Sequence, residues 1–295
     1  MIIAANSTDL LAPGAHSNIP FEDYCLDPGL NSSTLKHFHK STPKHALHAM
    51  TTAEVDTEAL RRGHAAHTAV LEPELYEKLF AAYPKEQMVR THGHPNSNKY
   101  KAARDAWYVE HEDACIIDEF EWRNALEVRD ALRDQALARS LLFENKGRNE
   151  LTIIADVDGV RRKARVDRLT NYNGQPCIVD LKTISTKGYT LSPRTVEKQV
   201  YRFAYHVQMA WYLDTLNAVA PADRIAILAF VEADDPHDVV CYHVESDTIE
   251  LGRKQYTKYL NQLLRGRKTG FWPGYSDQLL SMNFPQHILE EEGNL

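Results

Sequence analysis

The chain has 295 residues, 43% of them hydrophobic, and a net charge of −7; this is enough apolar material for one large core or two small ones, and too acidic overall for indiscriminate attachment to nucleic acid. No apolar run approaches the ~18 residues that span a bilayer, and Met1 to Leu11 lacks the charged start and long apolar middle of a secretion signal, so a cytoplasmic protein without membrane contact is expected. Cys25, Cys115, Cys177 and Cys241 are scattered without metal-site or disulfide-framework spacing, and read as buried thiols in a reducing compartment.

The N-terminal third reads as helical. Asn31-Ser32-Ser33 is a capping signal for a helix from about Thr34, and Asp56 to Leu71 sets Leu60, Val70 and Leu71 among the small residues Gly63, Ala65, Ala66 and Ala69. Pro73 ends that helix or starts the next. Thr91 to Asn98 is a loop by composition, and its His92 and His94 have no partner cluster nearby; Ala102 to Leu142 is largely helical. After Phe143 the period changes to that of strands: Leu151 to Ala155, Val160 to Leu169 and Cys177 to Thr183, separated by the turn signals Asp156 to Gly159 and Asn171 to Pro176, form an antiparallel meander. A helix from about Pro193 to Leu216 follows, then strands near Ile225 to Glu232 and Val239 to Val244, a helix from about Ser246 to Arg267, and an irregular tail from Gly270. Strands between helices give an α+β (mixed α/β) fold, a central mixed sheet flanked by helices. With no repeat and no low-complexity linker, residues 1–295 read as one domain: a helical portion at about 31–142, a meander and sheet at about 150–267, and the tail.

The charge is polarised. Between Val160 and Arg202 ten basic residues, Arg161, Arg162, Lys163, Arg165, Arg168, Lys182, Lys187, Arg194, Lys198 and Arg202, stand against Asp167, Asp180 and Glu197. Such a band suits a polyanion held at one site, and equally a solvated basic face. Within it, Asp180 and Lys182 alternate with Leu181 along a strand and so share one face. Magnesium takes hard oxygen ligands and keeps several waters, so Asp180, Asp167 on the preceding strand, Glu150 at the head of the first and the Leu181 backbone carbonyl suffice to hold it. Lys182 would then stand beside the water that attacks a phosphate. Three carboxylates and a lysine are the parts of a magnesium-dependent phosphodiesterase.

On the following helix Tyr201, Tyr205, Gln208 and Tyr212 fall at i, i+4, i+7 and i+11 and make one stripe, with Phe203, Val207 and Ala210 on a neighbouring face suited to packing under the sheet. The stripe suits stacking on bases or bonding to phosphates; it also suits a half-buried face whose hydroxyls find backbone partners. Arg161, Arg165, Lys187 and Arg202 are the further candidates for DNA contact. His67, alone on a small-residue helix, reads by itself as a packing residue, and His64 as structural.

From Asn31 to Tyr275 this set resembles the PD-(D/E)xK nuclease superfamily, in its RecB-like branch, and most closely the RecE-type exonuclease (exonuclease VIII) catalytic domain. The resemblance rests on Ser32-Ser33-Thr34-Leu35-Lys36, Gly63-His64-Ala65-Ala66-His67 leading to Leu71-Glu72-Pro73, Val166-Asp167-Arg168, Asp180-Leu181-Lys182-Thr183, and Tyr205-His206-Val207-Gln208-Met209-Ala210-Trp211-Tyr212. It implies that Asp167, Asp180 and Glu150 bind metal, that His67 completes the metal site, that Lys182 is the catalytic lysine, and that Gln208 and Tyr212 are a pair near DNA and that lysine. Val166 stands where the family has proline, and Asp180 where glutamate is commoner; neither change removes a ligand. The four cysteines do not match the iron-sulfur cluster of some RecB-like relatives.

The resemblance further implies a deoxyribonuclease using two Mg²⁺ ions, with Mn²⁺ able to substitute. It would digest linear double-stranded DNA from its ends, 5′ to 3′, as a ring-shaped homo-oligomer, leaving 3′ single strands for a single-strand annealing protein. The alternatives are an endonuclease of the same fold and a noncatalytic DNA-binding accessory module.

Overall fold

The computed structural model describes residues 10–53, 57–185 and 190–292. It begins with a short strand, β1 (Gly14–His16), and the helices α1 (Phe21–Leu26), α2 (Ser32–Lys36), α3 (Pro43–Thr51), α4 (Glu58–Leu71) and α5 (Pro73–Leu79). Three of these starts carry a side-chain cap: Asn31 accepts from the Thr34 amide, Thr42 from His45 and Thr57 from Leu60. Proline opens α3 and α5, where its missing N–H costs nothing. A small excursion follows, made of β2 (Phe80–Ala82), α6 (Lys85–His92), α7 (Asn98–Glu110) and β3 (Cys115–Ile117), in which β2 and β3 pair in parallel. Next come α8 (Glu119–Asp134), started by a capping box between Asp118 and Glu121, α9 (Ala136–Arg139) and one π-helical turn (Ser140–Glu144).

The meander is β4 (Arg148–Val157), β5 (Val160–Tyr172) and β6 (Gln175–Ile184). Its hairpins turn on Asp158-Gly159 and Asn173-Gly174, all four residues at positive φ, which is the two-residue geometry whose twist matches the strands. The chain then forms α10 (Pro193–Arg202), α11 (Tyr205–Val219), β7 (Ile225–Glu232), β8 (Val239–Val244), α12 (Ser246–Thr269) and α13 (Gln286–Glu292). The sheet order is β1-β4-β5-β6-β7-β8, antiparallel throughout except for the parallel pair β6 and β7, which the α10–α11 crossover connects. The fold is therefore the expected mixed sheet flanked by helices. One core lies between the sheet and α2, α11 and α12, around Trp211, Phe38 and Phe230; the other lies between the sheet and α4 and α8, around Val128, Leu132 and Leu181.

Several expectations are corrected. The single helix over 193–216 breaks at Phe203-Ala204, where Ala204 takes left-handed φ 54°, so Tyr201 belongs to α10 and leaves the stripe. Its ring meets His39 edge-on and lies under the Lys40 ammonium. Phe203, at the break, is exposed instead of packed under the sheet. The stretch 102–142 is interrupted by β3, and Thr91, His92 and Asn98 are helical ends flanking a shorter loop. Cys177 is buried, but Cys25 is exposed and Cys115 and Cys241 are half-buried. Among the described residues no helix is long and apolar enough to cross a membrane.

Gly252 fixes the crossing of α11 and α12. A Cβ there would collide with the His206 carbonyl and come within 2.9 Å of Ala210 Cβ. Overpacking of this kind costs roughly 1–3 kcal/mol, so Gly252→Ala should lower the urea midpoint by a stability loss of that order, although alanine favours the helix itself. A variant as stable as the parent would show that the crossing tolerates separation.

Candidate active site

Strand register sets the site. Asn149 pairs with Arg168 and Leu151 with Val166, so Glu150 stands opposite Asp167; Arg168 pairs with Val179, so Asp167 stands opposite Asp180. The three carboxylates thus occupy one level of three adjacent strands. The backbone is distorted there. Glu150 has φ 48°, a left-handed value that costs a non-glycine residue of order 1–3 kcal/mol and concentrates at functional sites. Side-chain alternation is also interrupted: Leu151 and Val166 enter the core under α11, whereas Asn149 and Arg168 turn to the opposite side and bond the Leu71 and Leu141 carbonyls. Pairing of β5 with β6 ends at Arg168, and the Asp167 carboxylate takes over by accepting the Leu181 amide at 2.7 Å.

His67 arrives from α4. Ala65, Ala66 and Ala69 are buried and small, so the helix lies close to β6. His67 Nε2 is 2.9 Å from the Leu181 carbonyl oxygen and 3.4 Å from Asp167 Oδ2. His67, Glu150 and Asp167 each offer one ligand atom within 4.8 Å of the others. Glu150 is held by an ion pair with Arg165, whose guanidinium also reaches Glu72 at 3.7 Å and the Ile19 carbonyl at 2.8 Å.

Asp180 is fully buried and belongs to an adjoining network. Gln208 Nε2 donates to Asp180 Oδ1 at 3.2 Å and to the Tyr212 hydroxyl at 2.7 Å, while Gln208 Oε1 accepts from Lys36 Nζ at 2.7 Å. The Lys182 ammonium pairs with Asp180 Oδ2. Lys182 and Lys36 both lie over the Tyr205 ring, 4.9 and 5.3 Å from its centre.

The electrostatics follow from this crowding. Burial, reinforced by the Asp180 charge, pushes the Asp167 carboxyl up to about 7. Burial opposes protonation of His67, but the Asp167 and Glu150 carboxylates outweigh it and raise its pKa. Lys182 is likewise held above the usual lysine range, because Asp180 and Asp167 overcome its desolvation. Lys36, by contrast, is pushed down to about 7 by burial and then by Lys182. Burial, followed by the charge of Glu150, raises Glu72.

A divalent cation fits this set. Hard carboxylate oxygens, a backbone carbonyl and one imidazole nitrogen converge, and buried like charges press for a counter-charge. Asp180 lies beside the three-residue cluster.

The candidate DNA contacts fare differently. Gln208 and Tyr212 are buried, so they orient Asp180 from below and offer no surface for bases; Tyr205 is half-buried, with both lysine ammonium groups over its ring. Arg165 is occupied by Glu150 and Glu72, and Arg161 by Asp27 and the Leu11 carbonyl. Lys163 caps the end of α1 through the Tyr24, Cys25 and Asp27 carbonyls, and Arg168 bonds Leu141, Asn145 and Asn149. Much of the basic band is therefore spent inside the chain. Arg202 is exposed, and Lys187 lies outside the described residues. Sequence reasoning assigned no role to Lys36 or Glu72; both stand in quoted motifs, but no spacing ties residue 36 to 208 or residue 72 to 165.

Asp167 gives the site a pH dependence of definite sign. Its folded pKa lies above the unfolded value, so the fold keeps a proton that the unfolded chain gives up, and this share of stability is lost as pH rises from roughly 4 to about 7. His67, also raised, loses its share above its ordinary value of 6.5. In chelator, the thermal midpoint should fall over this range, and Asp167→Asn should flatten the fall and raise the midpoint at pH 8. A variant with the parent's slope would assign it to another group.

A family profile described as "PDDEXK-like domain of unknown function (DUF3799)" matches residues 31–283. No curated protein matches the chain. Among solved structures, a Eubacterium rectale protein named "Putative exonuclease" superposes with a TM-score of 0.60 at 13% identity, over 95% of this chain and 100% of that one, which shows a shared fold. SSO0001 (TM-score 0.26, 15% identity, 66% of this chain and 85% of that one) and Vibrio cholerae VC1899 (0.23, 11%, 86% and 58%) carry no weight.

Proposed function

Because the chain belongs to the PDDEXK-like family DUF3799, we propose that it is a divalent-metal-dependent deoxyribonuclease acting from the ends of linear duplex DNA. The observation that carries this reading is the row Glu150, Asp167 and Asp180 with Lys182 against its last member and His67 closing over it. A family match shows a nuclease-type fold; the intact acids and lysine support chemistry on it.

His67, Glu150, Asp167, Asp180 and the Leu181 carbonyl would hold Mg²⁺, or Mn²⁺ in its place. Two such cations would supply an acidified water on the attacking side and charge relief for the leaving oxygen. The protein's own part is positioning. Arg165 fixes Glu150, the Leu181 amide fixes Asp167, and Gln208, itself held by Tyr212 and Lys36, fixes Asp180. Lys182 keeps its proton, because two carboxylates stabilise the ammonium, so it offers positive charge and N–H donors to the phosphate in the transition state.

The finer parts of the proposal rest on the resemblance to the RecE type: 5′-to-3′ digestion, 3′ single strands passed to an annealing protein, a ring-shaped homo-oligomer, a single catalytic domain and a cytoplasmic setting. The Eubacterium rectale name supports exonuclease action.

The purified chain should degrade 5′-labelled linear duplex with Mg²⁺ and spare closed circles, and Lys182→Ala should slow it by about 100-fold or more. Cutting of circles would make it an endonuclease. No metal-dependent cleavage of either substrate would leave a DNA-binding accessory module.

A further inference from the structure

Lys36 ends α2, a one-turn-and-a-half helix pinned by fully buried Leu35 and by Phe38 just beyond it. Its ammonium donates to Gln208 Oε1, lies over the Tyr205 ring and, among the described residues, has no carboxylate in ion-pair contact. A lysine carries three N–H donors, so two remain for another acceptor. Such a group is costly to enclose without an anion, and the chain's own nearest anions, Asp180 and Asp167, are already engaged by Lys182, Gln208 and the Leu181 amide. Both ammonium groups lie over the Tyr205 ring, which places them within about 10 Å of each other.

We propose that Lys36 is a second phosphate-binding cation of the site, holding a non-bridging oxygen of the strand phosphate next to the one that Lys182 faces. The inference rests on the nuclease reading and names how a strand is seated in it. Tyr205 sets the spacing of the two cations, and Gln208 couples the seating of the neighbouring phosphate to Asp180. A merely structural lysine would orient Gln208 and nothing more. The two roles separate in salt dependence, because a lost phosphate contact releases one fewer counterion, whereas a shifted Gln208 changes the chemical step.

The test is fluorescence anisotropy of a labelled linear duplex with the full chain in chelator, across a salt series, for the parent, Lys36→Met and Lys36→Arg, with thermal midpoints recorded alongside. Lys36→Met should weaken binding by about ten-fold and reduce the slope of log K against log salt by about 0.9, while Lys36→Arg should keep the slope. With Mg²⁺, Lys36→Met should raise KM more than it lowers kcat. An unchanged slope in a folded Lys36→Met, or a Lys36→Arg that behaves like it, overturns the proposal and leaves the nuclease reading standing. A parent chain that neither binds DNA in chelator nor cleaves it with Mg²⁺ removes both.

Discussion

Like charges placed side by side in an interior repel each other far more strongly than in water, and Glu150, Asp167 and Asp180 stand side by side on three adjacent strands. Each is answered by a different partner: Arg165 for Glu150, the Leu181 amide and His67 for Asp167, Lys182 and Gln208 for Asp180. The answer is incomplete, as the raised Asp167 shows. A residual demand for positive charge is what makes such a cluster a receptor for a hard cation and then for a phosphate.

The fold delivers this cluster through one topological event. Between β5 and β7 the sheet passes from antiparallel to parallel pairing, and a parallel connection requires a crossover. That crossover is α10–α11, which brings Gln208 and Tyr212 under Asp180; on the opposite side the small residues of α4 let His67 reach the Leu181 carbonyl. The end of pairing at Arg168 leaves the Asp167 carboxylate to replace a ladder bond, and left-handed Glu150 leaves its two neighbours on opposite faces of the sheet.

What the sequence made legible follows short-range rules. Two-residue turns at Asp158-Gly159 and Asn173-Gly174 announced the hairpins, and strand period alone put Asp180 beside Lys182. The opposition of Glu150, Asp167 and Asp180 needed the register, which those turns fix but do not display. The break before Tyr205 carries no glycine or proline, so nothing in the sequence separates Tyr201 on α10 from the stripe on α11. The basic band misled for a different reason: a charge count cannot see that Asp27 takes Arg161, that Glu150 and Glu72 take Arg165, or that backbone carbonyls take Lys163 and Arg168. Lys36 was hidden because its partner lies 172 residues away.

If these acids hold a divalent cation, crystals soaked in Mn²⁺ will show it by anomalous diffraction. The expected peak is bounded by His67, Glu150, Asp167 and the Leu181 carbonyl, with Asp180 at its edge, and disappears in Asp167→Asn. A soaked crystal with this site empty, or with manganese bound only elsewhere, would contradict it.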